Sequence, residues 1–138
     1  MRELREISTD ERLIGIRQIQ PDRFVYPDRF LDVVASDQLP DITPWSWLCQ
    51  YEDDLYFWAE TVAQQYPTRS LVPFAKHQDT DDVFCFDGDD RSGNPSVLII
   101  HTFASPGTEY RGQWTSFDVW WEEMEEHRAA WLAEQGED

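Results

Sequence analysis

The chain has 138 residues and carries 11 basic against 28 acidic side chains, a net charge of −17. One domain suits this length. Leu, Ile, Val and Phe form about 23% of the residues, above the roughly 20% that marks a disordered chain, and seven Trp and five Tyr add burial. No run of about 18 apolar residues occurs, which argues against a membrane-spanning helix. The acidity opposes nucleic acid, whose phosphates need clustered Lys and Arg.

Residues 1–20 hold scattered apolar positions, Leu4, Ile7, Leu13, Ile14, Ile16 and Ile19. The part from Leu13 to Ile19 alternates in places, so helix and strand both stay open until Pro21 ends the segment. Met1 to Glu6 lacks the apolar stretch of a secretory signal. Pro27 opens a short helix with Phe30, Leu31, Val33 and Val34 on its apolar side. Leu39 to Pro44, with two prolines, reads as a loop, and Trp45 to Tyr51 as an aromatic strand. Asp53 or Asp54 caps the next helix, in which Leu55, Trp58, Ala59, Val62 and Tyr66 share one face, and Pro67 stops it.

Three strands are predicted next, Leu71–Ala75, Val83–Asp87 and Ser96–Thr102. Gly88, Gly93, Asn94 and Pro95 punctuate the last two. Spacings this short leave no room for crossover helices, so the strands pair antiparallel. Tyr110 to Trp114 adds an edge strand. A final helix begins at Thr115 or Ser116, with Asp118 in capping-box position relative to Thr115. Its stripe is Phe117, Trp120, Trp121, Met124, His127 and Trp131. The fold class expected is α+β, a single domain over residues 1–138 with an antiparallel sheet packed against helices.

Charge is distributed unevenly. Residues 1–29 hold six Arg and six acids, while the remainder carries five basic and 22 acidic residues. Six Asp lie between Asp79 and Asp90, and eight acids between Asp118 and Asp138. Such runs serve as solubilising surface or as a docking face for a positively charged protein. Asp79, Asp81, Asp82, Asp89 and Asp90 occupy turns beside the central strands, a plausible recognition rim. Tyr110 and Trp114 are the candidate aromatic anchors, since Trp and Tyr are enriched at interface hot spots.

No catalytic constellation is visible. His77, in an expected loop, His101, at a strand end, and His127, on the apolar stripe, share no metal spacing. Asp87-Gly88-Asp89-Asp90 reads as a tight turn rather than a calcium loop. Cys85, between Phe84 and Phe86, packs as a small hydrophobe. It and Cys49 have no C-x-x-C spacing, so reduced thiols and a cytoplasmic location are expected. No cofactor, no metal and no enzymatic activity are expected.

Leu71-Val72-Pro73-Phe74-Ala75, a short acidic gap, then Val83-Phe84-Cys85-Phe86-Asp87 resembles the central signature of the SUKH superfamily, the Smi/Knr-like domains. Tyr26-Pro27-Asp28-Arg29-Phe30-Leu31 is similar to that family's early P-x-x-Φ-x-x-Φ helix. The segment Trp45–Leu48 is similar to its first aromatic strand, and Ser116-Phe117-Asp118-Val119-Trp120-Trp121 to the start of its closing helix. The resemblance spans about residues 22–125. It departs at Ala35-Ser36-Asp37-Gln38, where many members have Asn-Gly.

The resemblance implies a curved, mainly antiparallel sheet packed against helices. It also implies a non-catalytic role. Many bacterial members are immunity proteins that neutralise toxins, and fungal relatives act through protein contacts. Asp87 falls at the family's recurrent acidic position, expected to hydrogen-bond backbone at a pocket edge. Three readings stand: an immunity protein for a basic toxin, a regulatory interaction domain, and a small-ligand-binding domain whose pocket joins Trp, His77 and Asp87.

Overall fold

Ser8 and Glu11 start the first helix. The Ser8 hydroxyl accepts the Glu11 amide at 3.2 Å, while Glu11 Oε1 accepts the Ser8 amide at 3.4 Å. This reciprocal capping decides the segment that the sequence left open: α1 runs Thr9–Gln18. The computed structural model describes residues 6–51, 53–102 and 110–136, and within these the side chains of all but Tyr110 and Arg111. After α1 come α2 (Asp28–Ala35), β1 (Trp45–Trp47), a 3-10 turn (Leu48–Gln50), α3 (Asp54–Gln65), β2 (Leu71–His77), β3 (Asp82–Asp87), β4 (Val97–His101), β5 (Tyr110–Trp114) and α4 (Phe117–Gly136).

The five strands form one antiparallel sheet in the order β1-β2-β3-β4-β5. The α+β class is therefore correct. Register shifts interrupt the ladder between Pro73 and Ala75 and between Ile99 and Ile100. Such irregularities bend and twist a strand.

Register assigns each side chain a face, since directly opposed residues share one. Trp45, His77, Phe84, Phe86, Ile99 and Trp114 share the face covered by α4. Lys76, Val83, Cys85, Leu98 and Asp87 share the face that α3 partly covers.

An aromatic cluster seals the centre of the α4 face. Phe74 stacks on Phe86 at 4.4 Å between centroids, Phe30 of α2 meets Phe86 edge-on at 5.1 Å, and Trp120 meets Phe74 edge-on at 5.1 Å. Trp47, Phe30, Phe74, Phe86, Phe117 and Trp120 are all buried.

A buried arginine attaches α1 to α2. Arg12 is 3% exposed. Its guanidinium donates to the Val34 carbonyl at 3.1 Å, to the Ser36 carbonyl and to the Thr9 hydroxyl at 3.0 Å. It thereby supplies donors to carbonyls at the C-terminal end of α2 and at its C-cap.

Several expectations need correction. The strand from Trp45 stops at Trp47, and Leu48–Gln50 turn instead. Continuing β1 would carry it alongside Pro73, which has no amide to donate and lies at the register shift. Asp53 takes the N-cap position of α3, but at φ 68° its side chain makes no capping hydrogen bond. Ser116 caps α4 by accepting the Val119 amide at 3.2 Å. Asp118 pairs with Arg29 at 3.0 Å rather than closing a capping box with Thr115. His77 ends β2 rather than lying in a loop, and the His127 side chain is 62% exposed instead of packed.

Candidate functional site

The acidic residues expected to form one rim form two clusters. β3 separates them: Asp82 opens it and Asp87 closes it. Five strand steps put their backbones roughly 17 Å apart. Asp79, Asp81 and Asp82 lie at one end, and Asp87, Asp89 and Asp90 at the other. The two ends also differ in face. Asp82 lies opposite His101 on the α4 face, whereas Asp87 lies opposite Leu71 on the other. The pocket joining Trp, His77 and Asp87 is therefore not formed, and Asp82 takes the place expected of Asp87.

At the Asp87 end the carboxylates turn back on their own backbone. Asp87 Oδ1 accepts the Asp89 amide at 3.0 Å, and Asp90 Oδ1 accepts the Ser92 amide at 3.0 Å. The hydrogen bonds from Ser92 hold the Asp90 carboxyl below the usual carboxylate range. Gly88 is required here, because a Cβ on it would lie 2.3 Å from Ser70 Oγ and 3.0 Å from the Ser70 carbonyl. Asp87 and Asp89 border a shallow hollow shared with Arg69 and Ser70, so Asp87 does bond backbone at a pocket edge. Among the described residues, no three His, Cys, Asp or Glu side chains converge as a metal set.

The Asp79–Asp82 turn is tethered rather than loose. The Lys76 ammonium donates to the His77 carbonyl at 2.6 Å and to the Thr80 carbonyl at 3.0 Å. It also lies 5.1 Å from the Trp58 ring centroid. Burial lowers the Lys76 pKa, against the opposing pull of Asp81, Asp54, Asp79 and Asp82. Thr102 anchors the turn from the other side, its amide at 3.0 Å and its hydroxyl at 2.8 Å from the Asp81 carbonyl. His77 Nδ1 accepts the Asp79 amide at 3.0 Å.

Beside this turn an aromatic cleft of about 270 Å³ opens between the sheet and α4. Phe84 is its floor. Trp45, Trp114 and Trp120 each meet the Phe84 ring at a steep angle, with centroids 6.0, 5.7 and 5.2 Å away. Ile99 and Met124 complete the apolar lining. Polar groups stand at the mouth: His77 and Asp82 from the sheet, Glu123 and His127 from α4.

These groups are oriented by one another. His101 Nδ1 lies 2.9 Å from Asp82 Oδ1. The Trp114 indole donates to Glu123, and His127 Nε2 lies 3.6 Å from the other oxygen of that carboxylate. Trp45 meets His77 and His127 edge-on at 6.3 and 6.4 Å.

Of the residues singled out from sequence, Asp82, Trp114, His77 and His127 converge on this cleft, with Asp79 and Asp81 in the adjoining turn. Tyr110 opens β5 opposite Ile100, but its side chain lies outside the described residues. Sequence reasoning missed Glu123, and it assigned Phe84 and Trp120 to the core alone. A signal existed: Trp120, Glu123, Met124 and His127 follow the i, i+3, i+4, i+7 spacing of one helix face. A larger hollow of about 470 Å³ lies between the Gln38–Thr43 loop and β1, but neither Asp82 nor Trp114 reaches it.

Both cysteines are buried. Burial pushes the Cys49 thiol up to about 12 and that of Cys85 upward as well, which makes both poor nucleophiles. No helix among the described residues is long and apolar enough to cross a membrane. No known protein family, curated protein or solved structure matches the chain.

Proposed function

We propose that this chain is a non-catalytic protein-binding domain of the Smi/Knr-like type. In this reading it acts in the cytoplasm as an immunity protein that caps a basic toxin domain. The observation that carries the reading is that Asp82, at the end of the Asp79–Asp82 turn, lines a cleft together with the partly buried Trp45 and Trp114. A net charge of −17 attracts a cationic protein over long range, and a partly exposed aromatic wall anchors it after contact.

The order of elements supports the family assignment. The quoted segments lie on or at the start of α2, β1, β2, β3 and α4 in the sequence that the resemblance requires. The far cluster, Asp87 to Asp90, is assigned to turn formation, because its carboxylates bond their own backbone.

The test is capture of the partner from the native host, its identification, and binding kinetics with the purified protein. Asp81→Asn with Asp82→Asn should lower the association rate, and the loss should shrink as salt rises. Trp114→Ala should chiefly speed dissociation. An acidic or nucleic-acid partner, or an on-rate unchanged at low salt, overturns the reading.

A further inference from the structure

We propose that the cleft between the sheet and α4 receives one arginine side chain presented by the protein partner. The inference rests on the reading that the partner is a basic protein, and it names the group that enters.

Size sets the first limit. About 270 Å³ accommodates one extended side chain, whereas a helix about 10 Å across does not fit. Chemistry sets the second. Phe84, Ile99 and Met124 offer an apolar floor for methylenes, and the Trp45 and Trp114 indoles offer flat surfaces beside it. Asp82 approaches from the sheet and Glu123 from α4, so a group in the cleft meets carboxylates from two elements.

Neutral and anionic occupants fit poorly. An apolar side chain would strip water from both carboxylates and return no hydrogen bond. An anion would meet two negative charges inside a strongly acidic molecule. A cation answers both objections.

Among cations, arginine suits this site better than lysine. Guanidinium is planar, stacks on indole, is more weakly hydrated than ammonium, and spreads five donors over a fixed fork. Two carboxylates held on separate elements, one already oriented by His101 and the other by Trp114, call for donors pointing in more than one direction. The molecule uses the same recognition internally on an adjacent part of α4. The Arg29 guanidinium carbon lies 4.9 Å from the Trp121 ring centroid while its nitrogen lies 3.0 Å from Asp118.

The test is a heteronuclear NMR titration of the full chain with Nα-acetylarginine methylamide. The lysine and citrulline counterparts and tetramethylammonium serve as the comparison probes. The arginine derivative should shift the indole signals of Trp45 and Trp114 saturably, and bind at least tenfold more tightly than citrulline, which keeps the shape and loses the charge. Asp82→Asn and Glu123→Gln should each weaken it several-fold while the thermal transition and the remaining spectrum stay unchanged.

Equal binding of citrulline, absence of saturation, or tetramethylammonium or lysine binding as tightly as arginine overturns the proposal. The two readings can fail separately. A basic partner whose affinity survives Glu123→Gln and Asp82→Asn but falls with Asp79→Asn and Asp81→Asn leaves the binding domain standing and removes the arginine pocket. Saturable arginine binding with an acidic partner does the reverse.

Discussion

The α4 face of the sheet carries aromatic residues at both its centre and one end, yet the two regions are built to different purposes. At the centre, Phe74 and Phe86 are covered by Phe30 from α2 and by Phe117 and Trp120 from α4. At the end, Trp45 and Trp114 flank Phe84 under α4 alone, and both stay half-buried. The same residue types on the same face thus become core or cleft according to whether a second helix reaches them. Apolar composition therefore does not distinguish a packed interior from a binding surface; coverage does.

Four measurements break or sharpen that contrast. Phe86→Ala, in the sealed centre, should cost about 3–5 kcal/mol, because the ring is fully enclosed and its neighbours cannot all collapse inward. Chemical denaturation would show it, and a loss under 1 kcal/mol would mean that the centre is not close-packed.

Arg12→Ala attacks the seal indirectly by releasing the C-terminus of α2. It takes the Arg12 donor from the Val34 carbonyl and leaves the Ser36 carbonyl with the Thr9 hydroxyl alone, and should cost about 3 kcal/mol. Exchange of the α2 amides should quicken more than that of β3. Uniform quickening would instead mean that α2 and the sheet open only together.

Trp45→Leu at the open end should cost no more than about 1.5 kcal/mol, since the indole is only partly buried and leucine keeps an apolar contact there. A loss as large as that of Phe86→Ala would place Trp45 in the core and undo the contrast.

The smallest effect is expected at Asp41, in the loop before β1. The Thr43 hydroxyl and amide bond its carboxylate and hold it below the usual range, with Arg128 adding a lesser pull. A folded-state pKa below the unfolded value of about 3.9 contributes stability above that value, and the contribution is lost as pH falls through the depressed folded value. Asp41→Asn should therefore lower the melting temperature by a degree or less at pH 7. The difference should vanish in acid below the folded value. A gap that widens on acidification would contradict the assigned sign.

Local chemistry decided much of the architecture before any tertiary contact is considered. The i, i+3, i+4 rhythm from Leu55 to Tyr66, the Pro67 stop, and the turn residues from Gly88 to Pro95 place α3, β3 and β4 within a residue or two of where they lie. The α+β class follows from their order and short spacing. These signals are legible because each depends on residues that are close in the chain. The Ser8–Glu11 capping box was equally local and was overlooked.

The parting of Asp82 from Asp87 was open to local reasoning too, since five steps along one strand send them to opposite ends and opposite faces. Only the tertiary structure decided which of those groups borders a cleft. Which face receives α4, and which end α2 leaves uncovered, depends on pairing between residues far apart in the chain. Arg12 reaching α2, and Glu123 meeting Trp114, are set the same way. The cleft exists because those long-range packings leave a gap over Phe84, and no periodicity within a single element encodes a gap between two.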